Sequence, residues 1–329
     1  MSFSRQFKRR ILDISTHLFE ERAMELFHWQ AEHNSIYRTY LSYLKVAPKE
    51  IKRTANIPFL PIEFFKYHPV VTGDTSQHQV VFESSGTTGQ IRSQHYVADL
   101  PWYQQICQRA FEQRWGPLTD YHIFALLPSY LERNNSSLVA MADFFIKQSQ
   151  SAYSGFYLND LERLVHQVER ARQTNRRVLL LGVTFALLSL AETYCLQWPE
   201  VLIMETGGMK GRRKEITRAE VHELLFSGLG VTTVASEYGM TELLSQAYAQ
   251  SEGQFTTSPW MKILIRDTYD PFSQAPDGRQ GGINVIDLAN VDSCAFIETK
   301  DLGRRVDEKT FEVMGRFDNS EVRGCSLMV

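Results

Sequence analysis

The chain predicts an α/β fold with mixed sheets and packed helices, and three observations carry that expectation. Stretches with helical spacing and short β-branched runs alternate along the chain instead of segregating into separate blocks. The longest uncharged apolar stretch, Val178–Ala191, falls short of the ~20 residues of a membrane-spanning helix and reads as a buried strand followed by a packed helix. Apolar residues make up 43% and charged residues 22% of the 329, which is ordinary globular usage and excludes wholesale disorder or a coiled coil. Such a length exceeds the usual ~100–200 residues of one domain, so one large unit or two lobes sharing a core both fit.

In chain order, Ile11 to Leu44 reads as helical, with Leu18, Phe19, Met24, Leu26, Phe27, Tyr37, Leu41 and Leu44 near 3.6-residue spacing among charges. Asn56-Ile57-Pro58-Phe59-Leu60-Pro61 breaks the pattern, because its two prolines block helix continuation and favour extended backbone. Gln79–Glu83 reads as a short strand bounded by a Ser/Gly/Thr cluster. Further strands are expected at Arg177–Leu181, Thr232–Ala235, Lys262–Ile265, Gly282–Asp287 and Cys294–Thr299, and helices at Leu158–Gln173 and Ile216–Leu225. No internal repeat or long linker interrupts this order.

With 35 basic and 38 acidic residues the formal charge is −3, so there is no global pull towards nucleic acid or an anionic membrane, and any polyanion site must be local. The N-terminus lacks an apolar run with a cleavage site, which predicts a cytoplasmic protein. Cys107, Cys195, Cys294 and Cys325 are scattered, with no Cys-x-x-Cys spacing, so neither a zinc site nor a disulfide framework is expected.

Three segments carry chemistry. Ser84-Ser85-Gly86-Thr87-Thr88-Gly89 gathers four hydroxyls and two glycines after a strand. Glycine lets successive N–H groups converge on an anion and the hydroxyls add donors, so phosphate is the natural guest. No Gly-Lys-Ser/Thr follows, which excludes a nucleotide P-loop; Arg92 is the nearest cation, and a plain surface turn is the alternative. Ser236-Glu237-Tyr238-Gly239-Met240-Thr241-Glu242 offers an aromatic to stack on a base, a hydroxyl for a phosphate oxygen and a carboxylate for Mg²⁺; an ordinary helix start with an acidic first turn is the alternative. Thr299-Lys300-Asp301-Leu302-Gly303-Arg304 and Gly315-Arg316-Phe317-Asp318 supply an Asp expected at a strand end, where it can accept two ribose hydroxyls, and an Arg that can donate to ribose or phosphate; both are also good turn sequences.

Together and in this order these segments resemble those of the adenylate-forming superfamily of acyl-CoA synthetases, luciferases and peptide-synthetase adenylation domains. Within it the chain most resembles the acyl-protein synthetases of bacterial luminescence operons, the LuxE type, along almost its whole length. That likeness includes Phe27-His28-Trp29-Gln30-Ala31, Asn34-Ser35-Ile36-Tyr37-Arg38, Ile57-Pro58-Phe59-Leu60-Pro61-Ile62-Glu63-Phe64-Phe65, Leu127-Pro128-Ser129-Tyr130-Leu131-Glu132-Arg133 and Thr206-Gly207-Gly208-Met209-Lys210.

The resemblance implies ATP and Mg²⁺ as cofactors, with a carboxylic, fatty acid substrate activated as an acyl-adenylate and passed to a thiol. It implies that Ser84, Ser85, Gly86, Thr87, Thr88 and Gly89 hold the β- and γ-phosphates, and that Gly207, Gly208 and Gly239 help to frame the nucleotide. Tyr238 would stack on adenine, Thr241 contact the α-phosphate, Glu242 bind Mg²⁺, Asp301 bond the ribose hydroxyls and Arg316 steady ribose or phosphate. Asp318 falls at the hinge position.

Two departures from the pattern matter. The family's phosphate loop usually ends in lysine, whereas Gln90-Ile91-Arg92-Ser93 follows here, leaving Arg92 as the cation. Most superfamily members also carry a lid domain of about a hundred residues, and the chain stops at Val329. The expected organisation is therefore an adenylation core over 1–314, mainly helical over 1–78, then a hinge-like segment and short tail over 315–329, with the lid largely absent.

By the same resemblance Cys325, in Arg323-Gly324-Cys325-Ser326, would carry the acyl group, with Arg323 favouring its thiolate; an inert tail cysteine is the alternative. Seven residues beyond Asp318 span at most ~24 Å at ~3.4 Å each. The implied partner is an acyl-accepting reductase or carrier protein, with no nucleic acid and no membrane span. The competing readings are a carboxylate–CoA ligase of the phenylacetate type and a catalytically silent nucleotide-binding subunit. His95 and His122 read as structural, the basic residues Lys210, Arg212, Arg213 and Lys214 as a solvated face, and Phe124, Leu126, Leu127 and Tyr130 as core or acyl pocket.

Overall fold

The computed structural model describes residues 2–73, 78–85, 91–127, 135–207, 216–251, 253–276, 278–307 and 309–317. The chain divides into two compact units that interleave in sequence. The first comprises Met1–Gln79, Ser93–Ala98 and Thr256–Val329, and the second Val80–Arg92 and Asp99–Phe255.

In the first unit, helices at Phe3–Ile11, Phe19–His33 and Ser35–Tyr43 confirm the helical N-terminal reading and extend it upstream. Asn34 separates the last two: its extended backbone stops the first helix and its side chain accepts from Tyr37 N at 2.9 Å to cap the second. An antiparallel set of strands follows, Met261–Arg266 beside Gln280–Asp287 beside Phe296–Arg305 beside Thr310–Arg316, and Leu60–Pro61 adds a short parallel pairing to Phe296–Arg305. The strand read at Cys294–Thr299 thus runs on through Asp301 to Arg305, and Gly315 and Arg316, expected in a hinge-like segment, are the last residues of a strand.

Phe296 ties helices to sheet, with ring centroids 5.9 Å from Phe27 and 6.2 Å from Tyr37. Beside them the fully buried Gln30 amide donates to the carbonyls of Asn290, Val291 and Ser293 at 2.8, 3.2 and 3.1 Å and accepts from Ala295 N at 2.9 Å. One side chain thereby satisfies the backbone of the turn that leads into Phe296–Arg305. Gln30→Leu keeps the volume but strands those groups, and an unsatisfied buried polar group costs about 1–3 kcal/mol. The variant is expected to lose about 3 kcal/mol or more of unfolding free energy, checked by urea titration; a wild-type midpoint would show that water takes over the role.

In the second unit four parallel strands, Tyr121–Leu126, Arg177–Val183, Leu202–Thr206 and Val234–Tyr238, lie side by side in chain order. Gly155–Phe156 pairs outside the first, and Ala247–Ala249 runs antiparallel to the last. Parallel neighbours need crossovers, supplied by helices Ser137–Ser149, Leu161–Ala171, Thr184–Thr193 and Arg218–Leu229. Helix cover on the sheet explains the near-continuous apolar runs: Tyr121–Leu126 and Val178–Val183 are buried throughout. Phe124, Leu126 and Leu127 are core here; Tyr130 lies outside the described residues. Among the described residues no helix is long and apolar enough to cross a membrane.

Candidate active site

In open α/β sheets, ligands bind outside the carboxyl ends of the strands. In the second unit those ends carry Thr184, Glu205, Thr206, Gly207, Glu237, Tyr238 and Gly239. The strand expected at Thr232–Ala235 is shifted: it spans Val234–Tyr238, so Ser236, Glu237 and Tyr238 are strand residues and not the loop that the sequence suggested. After it, Met240 and Leu243 close a turn through Leu243 N to Met240 O at 3.2 Å, and no helix begins here, which removes the helix-start alternative. Thr241 is half-buried and Glu242 buried on that turn.

Buried polar groups hold this edge together. Glu237 and Thr206 face each other across the parallel pairing, and the Thr206 hydroxyl donates to the Glu237 carboxylate. A Cβ at Gly239 would overlap Glu237 Oε1, so any larger residue there would have to displace this carboxylate from its place. Gly207 takes the left-handed conformation, φ +64°, at the end of its strand. Glu205 accepts from Thr184 Oγ1 at 3.0 Å and from Arg218 Nε at 3.3 Å. A capping box between Thr217 and Glu220 fixes the helix start that presents Arg218. Arg218 lies 4.8 Å over the Phe255 ring, and that ring packs 5.8 Å from Tyr238. The buried Gln246 Oε1 and Tyr248 hydroxyl have no hydrogen-bond partner among the described residues, and Tyr248 stands opposite Glu237 in the strand pairing.

The serine loop follows Val80–Glu83, one residue inside the expected strand; Ser84 and Ser85 are described, and Gly86, Thr87, Thr88 and Gly89 lie outside the described residues. Its root is pinned at Glu83, which accepts from Asn135 Nδ2 at 2.6 Å and pairs with Arg92 Nη1 at 3.4 Å. Arg92 therefore sits at the base of the loop in an exposed pair, and exposed pairs hold weakly. Gly208, the basic residues 210–214, Asp318 and Cys325 also lie outside the described residues.

In the first unit Asp301 and Arg316 stand opposite each other in the antiparallel pairing, and Arg316 Nε donates to Asp301 Oδ1 at 3.2 Å. Asp301 is buried mid-strand and not at a strand end, next to a register shift at Leu302/Gly303. A Cβ at Gly303 would meet the Glu312 carbonyl, which accounts for glycine in what reads as a turn. Phe317 N donates to the Lys300 carbonyl at 2.7 Å, and Arg266 lies 5.3 Å over the Phe317 ring.

No group of three or more His, Cys, Asp or Glu side chains that could hold a metal occurs among the described residues.

His122, His95 and His222 are packed against neighbouring groups. His122 sits between Ser151 Oγ at 2.6 Å and Thr174 Oγ1 at 2.8 Å, and burial, then Arg176, holds its pKa below the usual value. His95 is buried against Phe65. His222, which no sequence motif marks, lies 3.4 Å from Ser236 Oγ; burial lowers its pKa, with Glu205 opposing and Arg218 adding to the shift. A depressed folded pKa gives stability that is fully present above the unfolded value near 6.5 and lost as pH falls through the folded value. Unfolding midpoints are expected to drop between about pH 7 and pH 5, with a shallower drop in His222→Gln; identical slopes would show that His222 does not contribute.

No protein-family model matches the chain. Among curated proteins it is similar to a long-chain-fatty-acid–luciferin-component ligase of Vibrio harveyi, 22% identical over 331 residues that cover 92% of this chain and 84% of the relative. Among solved structures it is similar to 2-hydroxyisobutyryl-CoA ligase in complex with 2-HIB-AMP and CoA, with a TM-score of 0.69 and 16% identity over 97% of this chain and 70% of that one. ATP-bound MatB from Rhodopseudomonas palustris aligns with a TM-score of 0.53 and 17% identity over 72% of this chain and 47% of that one. The strands and helices built above thus share the α/β fold of these solved ligases, in a chain whose sequence is similar over 92% of its length to a fatty-acid ligase.

Proposed function

We propose that the chain is an ATP-dependent acid–thiol ligase of the acyl-protein synthetase kind, activating a fatty acid as its acyl-adenylate and transferring the acyl group to a thiol. The observation that carries the reading is the placing of Glu237, Tyr238, Gly239, Thr241 and Glu242 at and just beyond the carboxyl end of Val234–Tyr238. This is the edge where such a sheet receives ligands. The sequence relative supports it by being a fatty-acid ligase over 92% of the chain.

In this reading a carboxylate oxygen of the acid bonds to the α-phosphorus of ATP while the bond to the bridging oxygen breaks and pyrophosphate leaves. Two anions must approach, so the site has to spread charge over N–H donors, hydroxyls and cations. Mg²⁺, when bound, neutralises phosphate charge. The residues in named roles are Ser84, Ser85 and the loop after them for the β- and γ-phosphates, Thr241 for the α-phosphate, Glu242 for the metal, Tyr238 for the base, and Asp301 oriented by Arg316 for the ribose. Arg92, loosely paired at the loop's root, adds a cation there. In the second step a thiolate attacks the acyl carbonyl and AMP departs; the proposed thiol is Cys325, with a reductase or carrier protein as the next acceptor, in the cytoplasm.

A second reading, a CoA ligase, is favoured by the likeness to a structure that holds CoA. Incubation with ATP, Mg²⁺ and mixed fatty acids, with and without coenzyme A, separates the two by mass spectrometry. A protein-bound thioester formed without coenzyme A is the expected result; product appearing only with coenzyme A would replace the proposal by the second reading.

A further inference from the structure

We infer that a basic cavity in the first unit is a binding site for a phosphate-chain anion, separate from the residues assigned to acid activation. The cavity has a volume of about 460 Å³ and is walled by Lys52, Arg53, Lys262 and Arg305, with Glu20 as the one carboxylate among the described residues that line it. None of the residues given a role above lines it. Among the described lining residues four cations meet one anion, in a chain whose formal charge is −3.

Three of these cations, Lys52, Arg53 and Lys262, are placed by identifiable neighbours. Lys262 is half-buried, its ammonium 5.8 Å from the Phe19 ring. Lys52 and Arg53 are presented by the segment before the short turn Thr54–Asn56. That segment is fixed because the Glu20 carboxylate accepts from Thr54 N at 2.8 Å and from Thr54 Oγ1 at 2.7 Å. The same two bonds turn both Glu20 oxygens towards Thr54, so the single anion of the wall acts as a strut for the loop that carries the cations. The Lys52 field is felt nearby: burial first, and then Lys52, lowers the pKa of His28.

The shape and sign of the site select the ligand. Like charges around a concavity repel one another and focus a positive potential that an anion relieves. Arginine in addition offers a planar fork matched to phosphate oxygens. The volume falls in the ~300–1,000 Å³ range of small-molecule sites and is generous for a single inorganic ion. A chain of two or three phosphates, free or borne by a nucleotide, has the several negative charges and the length to meet several of these cations at once. The Gln274 amide, also on the wall, supplies a neutral donor.

The test is calorimetric titration of the full chain with tripolyphosphate, ATP and orthophosphate, on wild type and on Lys52→Gln/Arg53→Gln, whose altered side chains are exposed and leave the core intact. The serine loop is a second phosphate site in our reading. Wild type is therefore expected to bind two tripolyphosphates, and the double variant to lose one of them or bind it at least tenfold more weakly, with pyrophosphate exchange unchanged. Lys52→Arg should retain the site. Binding should weaken steeply from about 0.1 to 1 M salt, as the screening length falls from ~10 to ~3 Å. Tighter binding of ATP than of tripolyphosphate at the site lost in the variant would identify a nucleotide-borne chain, and the reverse a free one. Unchanged titrations in the double variant, or orthophosphate binding as tightly as tripolyphosphate, would overturn the proposal.

Discussion

Cys325→Ser is expected to abolish the acyl adduct on the protein while leaving adenylate formation within about twofold of wild type, since the substitution touches the transfer step only. The wild-type chain, incubated with ATP, Mg²⁺ and a fatty acid, should gain the mass of one acyl group, and hydroxylamine should remove it. A serine hydroxyl at the same place lacks the accessible thiolate that makes cysteine the nucleophile at neutral pH. The other thiols sharpen the experiment. Cys107 and Cys294 are buried, and burial pushes the Cys294 thiol up to about 12, so neither competes. Cys195 is exposed and is the control: Cys195→Ser should leave the adduct in place. An adduct that survives Cys325→Ser but not Cys195→Ser would move the acceptor to Cys195.

Glu242→Gln should lower pyrophosphate exchange by about 100-fold or more, the order found when one group that stabilises transition-state charge is removed. The amide is isosteric, so the buried turn beyond Val234–Tyr238 keeps its shape, but it no longer offers a full negative charge to Mg²⁺. The Mg²⁺ concentration giving half-maximal exchange should rise in parallel. A loss of activity with an unchanged Mg²⁺ requirement would assign Glu242 to support of the turn, and exchange within tenfold of wild type would remove it from the site.

What the sequence made legible followed from local pattern. Val178–Ala191 read as strand then helix because its apolar run is continuous, and the structure places Arg177–Val183 and Thr184–Thr193 there. Lys262–Ile265 and Gly282–Asp287 were found within two residues of their ends. Missed elements carry polar residues whose partners lie far along the chain. Leu202–Thr206 hides Glu205, satisfied by Thr184 and Arg218, and Tyr121–Leu126 hides His122, held by Ser151 and Thr174. Ser236 and Glu237 looked like loop for the same reason, although Thr206 and His222 make them good strand residues. Of the candidate site, Tyr238, Thr241, Glu242, Asp301 and Arg316 were legible as motif. Glu237, Glu205 and Arg218 were not, since only the parallel pairing of two distant strands brings a threonine against a glutamate. The capping box Thr217–Glu220 was the one local signal that marked Arg218 as a helix start.

ATP–pyrophosphate exchange reports whether this chain activates an acid by adenylation. Labelled pyrophosphate should enter ATP only when a fatty acid and Mg²⁺ are both present, in wild type and Cys325→Ser alike, and only weakly in Glu242→Gln. Nucleotide binding without exchange for any acid, aliphatic or aromatic, would contradict the account and leave a nucleotide-binding protein with the fold of a ligase.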